Sequence, residues 1–345
     1  MTPGKIAFLG SGETSLAGGR IFEALVRDLK EPLRIALMET PAGFELNSAQ
    51  VVGRVGEFMA SRLQNYKPVV DVVPARKKGS AFSPDDPEVL KPLLYANLIF
   101  MGPGSPTYAI RQLKESLAWD VIRARHRLGA SLIFASAATI SVGAHALPVY
   151  EIYKVGQDVH MVDGLNFFDD FGLHISFVPH WNNAEGGVDL DTSRCFVGMD
   201  RFSEWCRLLP EDNTTFGLDE HTGIILDFEK GVCEVSGVSS ISLVRDCDPL
   251  PEMHPSGTSF DLRKLGELEV PDPIDKNIPP RIWEMVHNAP PLEEAVPNDV
   301  IALAEKRLLA RTNKQWDESD RLRTEIASQG WMVQDAKEGY KLVKI

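Results

Sequence analysis

Short, almost uninterrupted apolar runs that end in glycine or serine set the limits on this fold. Ile6–Leu9 breaks at Gly10-Ser11-Gly12, Leu98–Met101 at Gly102-Pro103-Gly104-Ser105, and residues 132–135 at Ser136. Arg34–Met38 and Val69–Val73 are two further runs. A strand apolar throughout must be covered on both faces, as in a parallel sheet with helices on either side. Helical spacing between the runs, such as Ile21, Leu25, Val26 and Leu29, supplies that cover. The pattern predicts an α/β fold with a mostly parallel sheet. In such sheets the working residues gather at the carboxyl ends of the strands.

From residue 164 the pattern shortens, and 174–178, 223–227, 232–235 and 239–244 read as strands closing the same domain, 1–248. Ten of the 23 prolines fall between 249 and 297, which reads as a Pro-rich linker or arm, with an apolar patch at Ile282-Trp283-Glu284-Met285-Val286 able to dock. Residues 298–345 read as a small helical C-terminal domain. Two helices lie within 299–329, the first capped by Asn298 or Asp299 and the second over 319–327, and a hairpin follows around Lys337-Glu338-Gly339.

Thirty-six Lys and Arg against 49 Asp and Glu leave a net charge of -13, which argues against a general nucleic-acid or membrane-surface binder. No apolar run reaches the eighteen residues a membrane span needs, and the N-terminal run is too short for an export segment. Cys195, Cys206, Cys233 and Cys247 form neither a CxxC pair nor a metal spacing, so the expectation is four reduced thiols, no metal and a cytoplasmic protein.

Ser136 is the sharpest candidate for chemistry. A strand running into a serine and then into small residues that open a helix is what a nucleophile elbow requires, and the helix start offers backbone N–H groups to an oxyanion. Here alanines, not glycines, surround the serine. His180, in Phe177-Val178-Pro179-His180-Trp181-Asn182-Asn183, follows an apolar strand and is the candidate base; His126, in an Arg-rich helix, reads as a surface residue. The turn Gly217-Leu218-Asp219-Glu220-His221-Thr222 offers two carboxylates, either able to orient the histidine. Gly10-x-Gly12 lacks the third glycine of a dinucleotide loop, and Glu39 is the nearest acidic residue to the end of the next strand, so a dinucleotide cofactor is not expected.

In order, Gly10-Ser11-Gly12-Glu13, Ile99-Phe100-Met101-Gly102-Pro103-Gly104-Ser105, Ala135-Ser136-Ala137-Ala138, Pro179-His180 and the 217–222 turn resemble the peptidase E/cyanophycinase family of serine peptidases over about residues 4–245. The resemblance implies a class I glutamine amidotransferase-like fold, a flavodoxin-like αβα sandwich. It also implies Ser136 as nucleophile, His180 as general base, Glu220 as its orienter, and the N–H groups of Gly104 and Ala137 as oxyanion hole. Family members work without a cofactor and cleave bonds next to aspartate. Ser136 stands where the amidotransferase relatives carry a cysteine. Asn183 and Glu185 are candidate substrate contacts, Glu185 suiting a basic or amine-bearing group.

The tail, with Ala310-Arg311, Lys314, Trp316, Ser319-Asp320, Leu322-Arg323 and Gly330-Trp331, resembles the C-terminal domain of cysteinyl-tRNA synthetase, a region that helps recognise tRNA. Its nine Lys and Arg against eight Asp and Glu give little electrostatic hold on phosphate. Two functions follow as expectations. One is a cofactor-free serine hydrolase of a small peptide or amide. The other is a non-catalytic, amidotransferase-like binding protein whose residues 298–345 contact tRNA or serve structure. A homo-oligomer is compatible with either.

Overall fold

The computed structural model describes residues 2–29, 32–272, 274, 277–289, 297–336 and 339–344. Its contacts divide into two units, Met1–Ala289 and Pro290–Ile345. In the first, β1 (Ile6–Leu9), β2 (Arg34–Met38), β3 (Val69–Val73), β4 (Leu98–Met101) and β5 (Ser131–Ala135) lie in the order β1-β5-β4-β2-β3, every pairing parallel. The intervening helices are α1 (Leu16–Val26), α2 (Ser48–Arg62), α3 (Lys91–Tyr95), α4 (Pro106–Leu113) and α5 (Leu117–Arg127). Side chains along the strands alternate between two cores. Ala7, Leu9, Ile133 and Ala135 share one with Ile21, Phe22 and Met59 of α1 and α2, while Ile6, Phe8, Leu132 and Phe134 pack on the opposite face. Burial of both faces is the reason β1, β2, β4 and β5 carry almost no polar residue, whereas the edge strand β3 leaves Val69, Asp71 and Val72 exposed.

After β5 come α6 (Ala137–Ser141), a ribbon of β6 (His145–Ala146) and β7 (Val162–Asp163) flanking α7 (Val149–Tyr153), then β8 (Ile175–Val178) and α8 (Gly198–Cys206). The remaining strands are β9 (Thr214–Leu218), β10 (Thr222–Asp227), β11 (Val232–Gly237), β12 (Ser240–Val244), β13 (Glu252–Pro255) and β14 (Ser259–Asp261). Antiparallel β10, β11 and β14 extend the central sheet beyond β1, whereas β13-β12-β9-β8 form a second sheet. A column of rings joins the two sheets: Phe134 on Phe8 at 5.5 Å between centroids, Phe8 on Phe177 at 4.2 Å and Phe177 on Phe216 at 5.4 Å.

Two expectations are corrected here. The stretch read as an arm is largely built into the first unit. Strand β13 takes the edge of the second sheet, where Pro255 needs no further ladder partner; β14 takes the edge of the central sheet, and α9 (Pro280–His287) packs on α5 through buried Ile282, Trp283 and Val286. The cysteines are not all free. Val244 pairs with Thr215, so the chain beyond β12 returns to where α8 gives way to β9, and Cys206 and Cys247 meet there as a disulfide with Cα atoms 5.7 Å apart. Cys195 and Cys233 are free and buried.

The second unit consists of α10 (Asn298–Thr312), α11 (Trp316–Ser328) and a hairpin of β15 (Trp331–Asp335) and β16 (Tyr340–Lys344). Val300, Ala304, Ile326, Trp331 and Val333 form its core, and buried Arg307 pairs with Asp335 at 2.8 Å. Pro297, not Asn298 or Asp299, stands at the N-cap of α10. Helix α11 begins three residues earlier than expected, with Asp317 and Glu318 in its first turn, where the helix dipole favours them. The hairpin residues Lys337 and Glu338 lie outside the described residues. Among the described residues no helix is long and apolar enough to cross a membrane.

His126 is a further correction: it is fully buried on α5, among the rings of Phe167, Phe171 and Phe228. Its Nε2–H donates to the Gly4 carbonyl at 2.7 Å, and Gly4 N–H donates back to the His126 carbonyl at 3.0 Å. Burial pushes the imidazole down to about 3. Because the native ring stays neutral where the unfolded one takes up a proton, its contribution is complete above the ordinary histidine range and is lost as pH falls from about 6.5 towards 3. We expect urea unfolding to show that His126→Gln removes roughly 2 kcal/mol of the stability loss between pH 7 and pH 5.

Candidate active site

The carboxyl ends of β1, β4, β5 and β8 and the β9–β10 turn bring the candidate residues together. Ser136, between β5 and α6, has φ 52 and ψ −117, a conformation rare outside glycine that costs on the order of 1–3 kcal/mol. Buried Ala135, Ala137 and Ala138 show how the turn is made without glycine, since each is small enough for the chain to reverse against the sheet. Ser136 N–H donates to the Leu9 carbonyl at 3.4 Å, and Ala138 N–H to Gly102 at 3.2 Å, which ties the loop after β4 to the start of α6.

His180 also sits at positive φ, 49. Its N–H donates to the Gly10 carbonyl at 3.2 Å, and its own carbonyl accepts from Asn183 N–H at 3.1 Å and Cys195 N–H at 3.2 Å. The imidazole Nε2 lies 3.1 Å from Ser136 Oγ and Nδ1 lies 2.9 Å from Glu220 Oε1. A carboxylate at Nδ1 assigns the proton to that nitrogen and leaves Nε2 as acceptor for the serine hydroxyl. Burial pushes the Glu220 carboxyl up, but hydrogen bonds from Asn183 and His180, with the histidine's charge, outweigh it and hold Glu220 below the usual carboxylate range.

The turn's other carboxylate is occupied. Asp219 Oδ2 accepts from Ser239 Oγ at 2.6 Å, Ser240 Oγ at 3.0 Å and Ser240 N–H at 3.2 Å, which fastens the turn to the start of β12. Gly104 has φ 144, and a Cβ there would overlap the Pro41 carbonyl, so only glycine fits. Among the described residues neither Gly104 N–H nor Ala137 N–H has a hydrogen-bond partner. Glu39 is committed to Arg76 and to Ser48 Oγ at 3.2 Å, so it does not face an open loop.

Asn183, expected at the substrate, is 3% exposed and has both halves of its amide engaged by protein groups: Nδ2 donates to Glu220 Oε1 at 3.0 Å and Oδ1 accepts Glu185 N–H at 3.2 Å. Glu185 itself is exposed. Sequence reasoning missed the segment at 194–196. Arg194, Cys195 and Phe196 are consecutive residues at positive φ, with Arg194 lying over the Trp181 ring at 3.9 Å and Phe196 against the His180 ring at 5.8 Å. Nothing in non-glycine residue types signals such a turn. Among the described residues there is no group of three or more His, Cys, Asp or Glu able to hold a metal ion.

No family model matches the chain. Its fold is similar to the crystal structure of a peptidase from an acI-B1 Actinobacterium, with a TM-score of 0.60 and 19% identity over 75% of this chain and 97% of that one. A segment of 50 residues is 48% identical to the cysteine–tRNA ligase of Chlamydia muridarum, and 51 residues are 49% identical to that of Methanosarcina mazei. These matches bear out the resemblance of the C-terminal segment. They cover 14–15% of this chain and span only about a tenth of the ligases' length, 10% and 11%.

Gly10 serves close approach: a Cβ there would overlap the carbonyl oxygens of Leu218 and Asp219. Gly10→Ala is expected to push β1 away from the Glu220 turn and lower stability by about 1–3 kcal/mol, measured by urea denaturation with an unchanged m-value.

Proposed function

We propose that this chain is a serine-type hydrolase of a peptide or amide bond, with Ser136 as nucleophile, His180 as general base and Glu220 as the group that orients and charges-balances the imidazole. The observation that carries this reading is the hydrogen-bonded run from Ser136 Oγ to His180 Nε2 at 3.1 Å and from His180 Nδ1 to Glu220 at 2.9 Å, set on a serine with strained backbone after a buried strand. The peptidase named for the similar fold supports the same class.

In this reading Ser136 Oγ attacks the carbonyl carbon while its proton passes to His180 Nε2. The oxygen of the tetrahedral intermediate accepts hydrogen bonds from the N–H groups of Gly104 and Ala137. His180 then gives its proton to the leaving amine, the C–N bond breaks, and an acyl-serine remains. Water attacks that ester with His180 again as base, which releases the acid and restores Ser136. Nucleophile, base and oxyanion donors all come from the chain, so these steps call on no cofactor. The family resemblance points to bonds beside aspartate in small peptides.

The ligase match favours a second role, for the C-terminal unit: RNA contact. Trp316 is 56% exposed and Arg311 lies over its ring at 5.8 Å, a stacking face with a cation beside it.

A fluorophosphonate probe should label the full-length protein at Ser136, as mapped by peptide mass spectrometry. Labelling should vanish in Ser136→Ala and slow by about 10²–10⁴-fold in His180→Ala; a folded wild-type chain that stays unlabelled would sink the hydrolase reading. For the second role, tRNA binding should weaken with salt at a slope of about −0.9 per phosphate contacted. Salt-insensitive or absent binding leaves the unit a structural role.

A further inference from the structure

The geometry points to Asn183 as a positioning residue of this triad, the side chain that holds the Glu220 carboxylate against His180. The inference rests on the hydrolase reading and deepens it. Asn183 Nδ2 donates at 3.0 Å to Glu220 Oε1, the same oxygen that meets His180 Nδ1 at 2.9 Å. Its Oδ1 accepts Glu185 N–H, so the amide cannot be turned round without leaving that N–H unpaired and setting an amide oxygen against a carboxylate. Its own N–H donates to the His180 carbonyl at 3.1 Å. One buried residue therefore holds the base through its backbone and the acid through its side chain. Asn182 secures the backbone of the acid, its Oδ1 accepting Glu220 N–H at 2.8 Å.

A glutamate needs this second hold. Its side chain turns about three bonds, it projects from a tight turn, and 29% of it is open to water. With His180 as its sole partner, the carboxylate would have rotamers in which it is solvated and the imidazole is left without its orienter. Two donors converging on one oxygen leave a single orientation that satisfies both.

The titratable groups facing Glu220 are His180, from the loop after β8, His221, next along its own turn, and the Cys195 thiol, which burial pushes up to about 12 and keeps neutral. The full-length wild type, Asn183→Ala and Asn183→Asp are compared by the rate of fluorophosphonate labelling at Ser136 from pH 5 to pH 9, with circular dichroism to verify folding. Asn183→Ala is expected to slow labelling roughly 10- to 100-fold, the kinetic equivalent of one hydrogen bond to a charged group. Asn183→Asp, isosteric with the native residue, sets a second carboxylate beside Glu220; by stabilising the imidazolium it should move the acid limb of the profile up by about one pH unit. A variant that labels like the wild type, or an Asn183→Asp that loses thermal stability with an unmoved acid limb, overturns the positioning role while the hydrolase reading stands. A folded wild type unlabelled at Ser136 overturns both. Should the alanine variant not fold, the aspartate variant decides.

Discussion

The last turn of β1 is where the site is held together. The Leu9 carbonyl accepts Ser136 N–H and, at 3.3 Å, the Thr139 hydroxyl, while the Gly10 carbonyl accepts His180 N–H. Gly10 N–H donates to the Thr222 carbonyl at 2.8 Å, and Ser11 Oγ accepts His221 N–H at 3.1 Å, which holds the two residues that follow Glu220. Three segments separated by some forty residues each are thus referred to one strand end through main-chain groups. Buried main-chain bonds resist disorder because an unpaired partner has no water to turn to. Gly10 makes the arrangement possible by letting the Leu218–Asp219 backbone come closer than any side chain would allow.

That common anchor also explains where the chain tolerates strain. Among the described residues twelve non-glycine residues have positive φ, and six of them, Ser136, His180, Arg194, Cys195, Phe196 and His221, surround this site. Each costs on the order of 1–2 kcal/mol, so together they offset a large part of what a domain keeps as net stability. They persist because the main-chain N–H of each is hydrogen-bonded. Cys195 N–H reaches the His180 carbonyl, and both the N–H and the guanidinium of Arg194 reach the Trp181 carbonyl at 2.9 and 3.0 Å. Under the proposed reaction, rigid backbone at Ser136 and His180 fixes the Oγ–Nε2 distance before any substrate arrives, and fixed geometry of that kind is a large share of what catalysis draws on.

What could be read from the sequence follows the range of the determining interaction. Strands β1, β2, β4 and β5 were legible because covering both faces of a sheet leaves a local mark, an apolar run. Ser136 was legible because small residues after such a run are local too. Residue types alone left Asp219 and Glu220 alike, and only the family resemblance singled out Glu220, since the hydrogen bonds that differ come from Ser239 and Ser240 at β12 and from Asn183 beyond β8. His126 looked exposed beside three arginines, yet the Gly4 carbonyl, more than a hundred residues away, buries it. The meeting of Cys206 with Cys247 depends on the β9–β12 register, which no cysteine spacing encodes. Proline misled in the same way: at a sheet edge it fits a strand, and edges are a property of the assembled sheet.

A cysteine bonded through its main chain to the same histidine bears on the proposed choice of nucleophile. Cys195 donates its N–H to the His180 carbonyl and interacts electrostatically with Glu220, yet it is 5% exposed, and burial pushes its thiol up to about 12. The thiolate is the reactive form of cysteine, and at neutral pH almost none of it forms there. The Ser136 hydroxyl is intrinsically the weaker nucleophile, but it lies at the imidazole nitrogen that can take its proton, at the start of a helix whose first N–H has no partner among the described residues. Burial silences one group while backbone geometry presents the other. On the proposed function, then, the chemistry depends less on which nucleophilic residue is present than on which one the strand ends lift out of the core.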